Sequence, residues 1–158
     1  MKGRKMNTYE RKHWLYKQYL LEFQKLGLIK ITKNDEEIKA YVDSEFINNK
    51  EYKWINLFND DNTICGFLLI QRREGSNPLF YISESYILPQ ERKKGIMLSA
   101  IQDFVSRHAG RYQSFVLKGN DEKVWYWKKT FSKCGYKLHS CLMDDAGDGY
   151  ELIFHPAE

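Results

Sequence analysis

Arg92, Lys93 and Lys94 run directly into Gly95, and Ile96, Met97 and Leu98 follow as the start of an apolar helical stretch. Ahead of them, Tyr81 to Leu88 reads as a strand that stops at Pro89. A strand, a basic loop and a glycine opening a helix together make a site for a phosphate group. The first N–H groups of a helix lack intrahelical acceptors and lie at the positive end of its dipole. A glycine lets a ligand approach the backbone closely, and flanking cations add attraction. The same residues also suit a strand–turn–helix connection that happens to be basic. On this segment alone both readings stand.

Other chemistries find less support. His13, His108, His139 and His155 show no metal-ligand spacing and no zinc or calcium loop is present, so no metal is expected. Cys65, Cys134 and Cys141 are odd in number and lack a CxxC pair, which argues against a disulfide framework or zinc ribbon. Cys134 lies near a helix end with no histidine close in sequence, so a packed thiol is expected rather than a covalent relay. The net charge of +4 is uneven. Residues 1–30 hold Lys2, Arg4, Lys5, Arg11, Lys12, Lys17, Lys25 and Lys30 against Glu10 and Glu22, a local +6, which leaves −2 for the rest. Such an arm can attract nucleic acid, but no nucleic-acid motif accompanies it, and a solvated helix face is the simpler reading. With no signal-like or membrane-spanning apolar run, a soluble, cytoplasmic protein is expected.

These residues need a scaffold, and 158 residues with 42% hydrophobic and 15% aromatic content suffice for one domain with its own core. Tyr9 to Leu26 reads as an amphipathic helix, with Leu15, Tyr19, Phe23 and Leu26 on one stripe, Trp14, Tyr16 and Leu20 widening it, and Gly27 as its stop. Leu28 to Thr32 is a candidate brief strand. Asn34 or Asp35 caps a second helix running to about Ile47. Tyr52–Phe58 and Thr63–Gln71 flank the turn Asn59-Asp60-Asp61-Asn62 as a hairpin, and Gly75-Ser76-Asn77-Pro78 leads into Leu79–Leu88. A helix follows from Gly95 to about His108, then a strand Tyr112–Leu117 and a helix from Asp121 to about Cys134. Strands Tyr136–Met143 and Tyr150–His155 close the chain. The order predicts a single α/β (α+β) domain over residues 1–158 with a mixed central sheet and helices on both faces.

Two segments resemble the signatures of the GNAT superfamily of N-acetyltransferases. Tyr81-Ile82-Ser83-Glu84-Ser85-Tyr86-Ile87-Leu88-Pro89 with Arg92-Lys93-Lys94-Gly95-Ile96-Met97 is similar to the family's strand and acetyl-CoA-binding loop. Val116-Leu117-Lys118-Gly119-Asn120 followed by Phe131-Ser132-Lys133-Cys134-Gly135-Tyr136 resembles the second signature, a strand, an asparagine opening a helix, and an aromatic before glycine. The resemblance covers roughly residues 52–155 and agrees in element order. It implies transfer of an acetyl group from acetyl-CoA to a primary amine, small molecule or protein, by direct attack.

The resemblance also assigns roles. The pantetheine arm of coenzyme A would lie between splayed strands Tyr81–Leu88 and Tyr112–Leu117, facing the backbone of Ile87. Arg92, Lys93, Lys94, Gly95, Ile96 and Met97 would hold the pyrophosphate, and Asn120 and Phe131 would lie near the arm. Glu84 is the candidate general base, directly or through water, because the amine must lose a proton to attack; it would equally suit a half-exposed strand carboxylate, or one that recognises a cationic substrate. Two positions depart from the family. Met97 is bulkier than the usual glycine or alanine. Phe131 stands where the family often has a tyrosine that protonates the leaving thiolate, so Tyr126 becomes the candidate displaced hydroxyl, the eleven-residue step from Asn120 being longer than usual. Packing or a substrate groove is the simpler use of Trp125, Tyr126, Trp127 and Phe131 alike. These departures keep a second reading open, a GNAT-fold protein that binds acyl-CoA or a partner without transfer. Acidic residues Asp35, Glu36, Glu37, Asp144, Asp145 and Asp148 would suit a polyamine or aminoglycoside acceptor, and equally helix caps and turns. The two C-terminal aromatic strands are candidates for a homodimer edge.

Overall fold

Asn7 opens the first helix, α1 (Thr8–Lys25), by accepting the Glu10 N–H with its side chain. At the other end Gly27, at φ +75°, and Leu28 donate to the carbonyls of Gln24 and Phe23, both at 3.0 Å. That paired arrangement closes the helix and needs the left-handed conformation glycine adopts without a Cβ penalty. The brief strand expected over Leu28–Thr32 does not form: the Ile31 N–H donates instead to the Gln24 side chain at 2.8 Å. A reciprocal cap between Asn34 and Glu37 starts α2 (Asp35–Val42). This helix then widens into a π-helical turn over Asp43–Ile47, which the sequence had suggested was ordinary helix. The computed structural model describes residues 6–75 and 77–157, so Lys2, Arg4, Lys5 and Ser76 lie outside the described residues.

Six strands follow, interleaved with two helices: β1 (Tyr52–Phe58), β2 (Ile64–Arg73), β3 (Leu79–Ile87), α3 (Ile96–Arg107), β4 (Arg111–Leu117), α4 (Asp121–Lys133), β5 (Tyr136–Met143) and β6 (Gly149–Pro156). They form one mixed sheet in the order β1-β2-β3-β4-β6-β5, and only β3 and β4 run parallel. That parallel pairing covers Leu79–Ile82 against Arg111–Ser114 and then ends. Ser83–Ile87 of β3 and Phe115–Leu117 of β4 therefore diverge as the two lips of a fork.

A bulge marks the point of divergence. Leu69 of β2 opposes Glu84 while Ile70 opposes Ile82, so Ser83 is an extra residue in β3. In a regular strand Phe80, Ile82, Glu84 and Tyr86 would share one face. The inserted residue breaks that alternation. Phe80 packs on Phe104 of α3, whereas Tyr86 packs on Tyr19 of α1. The core accordingly has two sides. Tyr16 of α1 stacks on Phe67 of β2 on one, and Tyr112 of β4 meets Phe104 of α3 and Phe131 of α4 on the other. Gly66 lets β2 approach β3 closely, since a Cβ there would lie 2.2 Å from the Tyr86 carbonyl oxygen. No helix among the described residues is long and apolar enough to cross a membrane.

Candidate active site

The fork opens into a cavity of about 390 Å³. α1 contributes Tyr16 and Tyr19 to its wall, α2 and the π turn contribute Tyr41, Glu45 and Phe46, and β1 contributes Tyr52. Tyr81 and Glu84 enter from one lip, Phe115 to Leu117 from the other, and Asn120, Lys123 and Trp127 from the start of α4. α1, α2 with its π turn, β1, β3, β4 and α4 thus converge where the parallel strands separate.

Glu84 lies at the centre of this wall. Its Oε2 is buried without a hydrogen-bond partner, although the residue as a whole keeps some exposure to the cavity. Burial disfavours the charged form and raises the carboxyl from its ordinary 4.5 to about 7, and the Tyr16 hydroxyl beside it pulls weakly the other way. The carboxylate in turn pushes up the phenols of Tyr16, Tyr19, Tyr41, Tyr52 and Tyr81, each of which burial already raises. Tyr81 reaches about 12. These phenols are therefore neutral donors around one carboxylate that gains or loses its proton near neutrality. Tyr41 and Tyr52 also feel Glu45, which places that exposed second carboxylate close to the same rings.

The basic loop is organised differently from the sequence expectation. Arg92 donates from Nη1 and Nη2 to both carboxylate oxygens of Glu22 in α1 at 2.7 and 2.6 Å, and from Nε to the Ile87 carbonyl at 2.9 Å. Its guanidinium thus ties the loop to α1 and engages the Ile87 carbonyl. Lys94 pairs with Glu91 at 3.0 Å. Lys93 and Gly95 both take positive φ, +65° and +78°, so the chain doubles back before α3. No side chain caps α3, and its first turn closes only at Ser99, whose N–H reaches the Gly95 carbonyl at 2.9 Å. The N–H groups of Ile96, Met97 and Leu98 are left without intrahelical acceptors. The Met97 side chain is buried in the core cluster.

Two expectations for α4 need correction. Phe131 does not reach the cavity: it is fully buried, stacked on Phe154 at 4.4 Å and against Tyr112, and belongs to the core. Tyr126 is not among the cavity residues either; its hydroxyl faces Thr130, and its ring lies under the Lys123 ammonium at 4.7 Å. Asn120 does line the cavity, at the N-cap position of α4, and its side chain makes no cap hydrogen bond.

Three of the acidic residues singled out in the sequence serve ion pairs, caps and turns. Asp35 pairs with Lys17 at 2.5 Å, Glu37 completes the α2 cap, and Asp144 accepts the Asp148 N–H across the β5–β6 turn. None of the six lines the cavity; Glu45 does. Basic residues of α1 are likewise engaged, Arg11 with the Ile64 carbonyl and over Trp14, Lys12 over Trp54. Of the two C-terminal strands only β5 is a sheet edge, since β6 pairs on both sides. Sequence reasoning missed the cavity roles of Tyr16, Tyr41, Glu45, Tyr52, Tyr81 and Lys123. Tyr16 was visible only as part of a helical apolar stripe, and Glu45 is brought inward by the π turn.

The architecture has relatives of known structure. A spermidine N-acetyltransferase from Vibrio cholerae, in complex with CoA and spermine, superposes with a TM-score of 0.64 over 96% of this chain and 92% of its own, at 10% identity. The chain has the GNAT fold. A Corynebacterium glutamicum protein, “histone acetyltransferase HPA2 and related acetyltransferase”, matches equally well, with a TM-score of 0.64 over 98% of this chain and 94% of its own at 9% identity. No protein-family model and no curated protein matches the sequence. Within the GNAT fold, the fork between β3 and β4 is the position the sequence resemblance reserved for the pantetheine arm.

Proposed function

We propose that this chain is an N-acetyltransferase that moves the acetyl group of acetyl-CoA to a primary amine, with Glu84 as the general base. The observation that carries this reading is Glu84 at the fork, its Oε2 buried without a hydrogen-bond partner and its carboxyl raised to about 7 among neutral phenols. A base tuned close to the working pH combines availability with driving force for proton removal. The residues present fit coenzyme A. The two lips offer strand backbone for an extended arm, as an added strand would use it. The uncapped N-terminus of α3, with Lys93 and Lys94 beside it, offers N–H donors and positive charge for the pyrophosphate. Asn120 offers an unused amide at the arm, and the Ile87 backbone flanks it. When bound, acetyl-CoA supplies the activated acyl group; positioning and proton removal belong to the chain, and positioning alone can supply much of the acceleration.

The acceptor is read as an amine because aromatic faces and two carboxylates, Glu84 and Glu45, surround the cavity. Such walls favour an alkylammonium through cation–π attraction and charge. That a relative of this fold was captured with spermine is consistent with a small polyamine, though at 10% identity the fold alone is shared. Calorimetry with acetyl-CoA, followed by thiol release over a panel of spermidine, tyramine and a lysine-containing peptide, tests the reading. Binding with release is expected for at least one amine. Binding without release from any acceptor would favour a GNAT-fold protein that holds acyl-CoA without transfer.

A further inference from the structure

Leaving coenzyme A needs a proton for its sulfur, and neither of the two α4 positions to which the resemblance pointed supplies one. Phe131 is core, and the Tyr126 hydroxyl faces Thr130 away from the cavity. Asn120, Lys123, Trp127 and Phe131 step along one face of α4 at intervals of three and four, the spacing that aligns side chains on a helix. Of these four, only Lys123 carries a proton it can give, and it lines the same cavity as Glu84.

We propose that Lys123 is the general acid of the transfer, placed about two helical turns ahead of Phe131, the position where the resemblance puts a tyrosine. This rests on the acetyltransferase reading above. In the step, the amine nitrogen attacks the acyl carbon, so that a C–N bond forms and the C–S bond breaks. Glu84 takes the proton lost by nitrogen, and the Lys123 ammonium gives a proton to the departing sulfur. Exchange with solvent then returns Glu84 to the carboxylate and Lys123 to the ammonium, so nothing is consumed beyond amine and thioester.

The surroundings suit the role. Lys123 is exposed at the cavity mouth; partial desolvation there lowers the ammonium from the ordinary lysine value, the nearby Arg92 guanidinium pushes the same way, and Glu22 opposes. The side chain remains open enough to the groove to be reprotonated from solvent. It stands over the Tyr126 ring, which restricts where the amine can swing and gives Tyr126 a positioning role.

Lys123→Met and Lys123→Arg separate the possibilities. With an accepted amine, Lys123→Met should lose on the order of 100-fold in kcat while binding acetyl-CoA nearly as well. The alkaline decline of kcat in the wild type should vanish with it. Bound coenzyme A should also ionise its thiol at lower pH in the wild type than in Lys123→Met, read from ultraviolet thiolate absorbance without turnover. Arginine keeps the charge but does not release a proton, so Lys123→Arg should retain the thiol shift and still lose kcat. Weakened acetyl-CoA binding with unchanged kcat and unchanged thiol ionisation would make Lys123 a phosphate anchor and overturn the proposal. Full rescue of kcat by arginine would do the same, leaving only an electrostatic role. A wild type that binds acetyl-CoA and acetylates no amine would overturn the transfer reading itself, and the acid with it; an active wild type with an unaffected Lys123→Met overturns the acid alone.

Discussion

Glu84 is a carboxyl group held among phenols, and its titration makes two measurable statements. The folded chain raises it from 4.5 to about 7, so the folded state binds this proton more tightly than the unfolded chain does. The stabilisation from the protonated form is complete below about pH 4.5 and is lost as pH rises through about 7. Above that, ionising the buried group costs the fold on the order of 3 kcal/mol. Glu84→Gln, which stays neutral, should therefore melt several degrees above the wild type near pH 8 and little or no higher near pH 4.5. A difference in melting temperature that does not change with pH would remove this account. In turnover the sign is opposite, because the base works only as the carboxylate: kcat/KM for an accepted amine should rise with pH through a midpoint near 7, ahead of any alkaline decline. Glu84→Gln should lose about 100-fold or more in kcat and leave acetyl-CoA affinity unchanged. The sequence pointed to Glu84 through the resemblance of its strand. What it could not reveal was that one carboxyl oxygen, Oε2, is buried without a partner, which depends on which of eleven tyrosines come to surround it.

At the scale of elements, the helices and strands were legible almost to the residue, because stripes, alternation and turn residues agreed along most of the chain. α1, the hairpin of β1 and β2, α3 and α4 all begin and end within about two residues of their sequence expectation, the usual reach of boundary definitions. Two devices that build the site were not legible. The Ser83 bulge and the π turn each depend on one residue's shift in pairing, which leaves composition and period nearly unchanged. Strict alternation would put Glu84 with Phe80 and Ile82, on the side of α3. The basic loop shows a third kind of limit: its charges were visible, but their partners were distant in sequence. Arg92 is held by Glu22, 70 residues away. That pair is partly exposed, so its contribution to stability is small, about 0.2–1 kcal/mol. Its larger consequence is for binding. Glu22→Gln removes a negative charge beside the cradle and releases the guanidinium, so acetyl-CoA should bind a few-fold more tightly, an effect that fades at high salt. Arg92→Glu should weaken binding at least tenfold. If both variants bind acetyl-CoA as the wild type does, the phosphates do not lie at this loop. Gly95 offers a separate check, because its φ of +78° penalises any side chain although space is open around it. Gly95→Ala should cost about 1–2 kcal/mol of stability through backbone strain alone.

The whole molecule is two half-sheets joined by a short parallel seam. β1, β2 and β3 form one antiparallel unit, β4, β6 and β5 the other, and four residue pairs between β3 and β4 connect them before the lips part. A ligand between the lips would pair with both halves at once and stabilise only the folded chain, since the lips do not exist as a pair in the unfolded one. Acetyl-CoA at about 100 times its dissociation constant should add roughly 2.7 kcal/mol. For a chain of this size that corresponds to a rise in Tm of about 5–11 °C. The location of the gain distinguishes fork binding from a surface contact. Amides of Ser83–Ile87 and Phe115–Leu117 should gain hydrogen-exchange protection, together with those of Ile96–Leu98 at the start of α3, while β5 should exchange as before. Coenzyme A without the acetyl group should reproduce most of this pattern, because the arm and phosphates make the contacts. A rise in Tm without protection at the lips would place the cofactor elsewhere on the fold and separate the cavity around Glu84 from acetyl transfer.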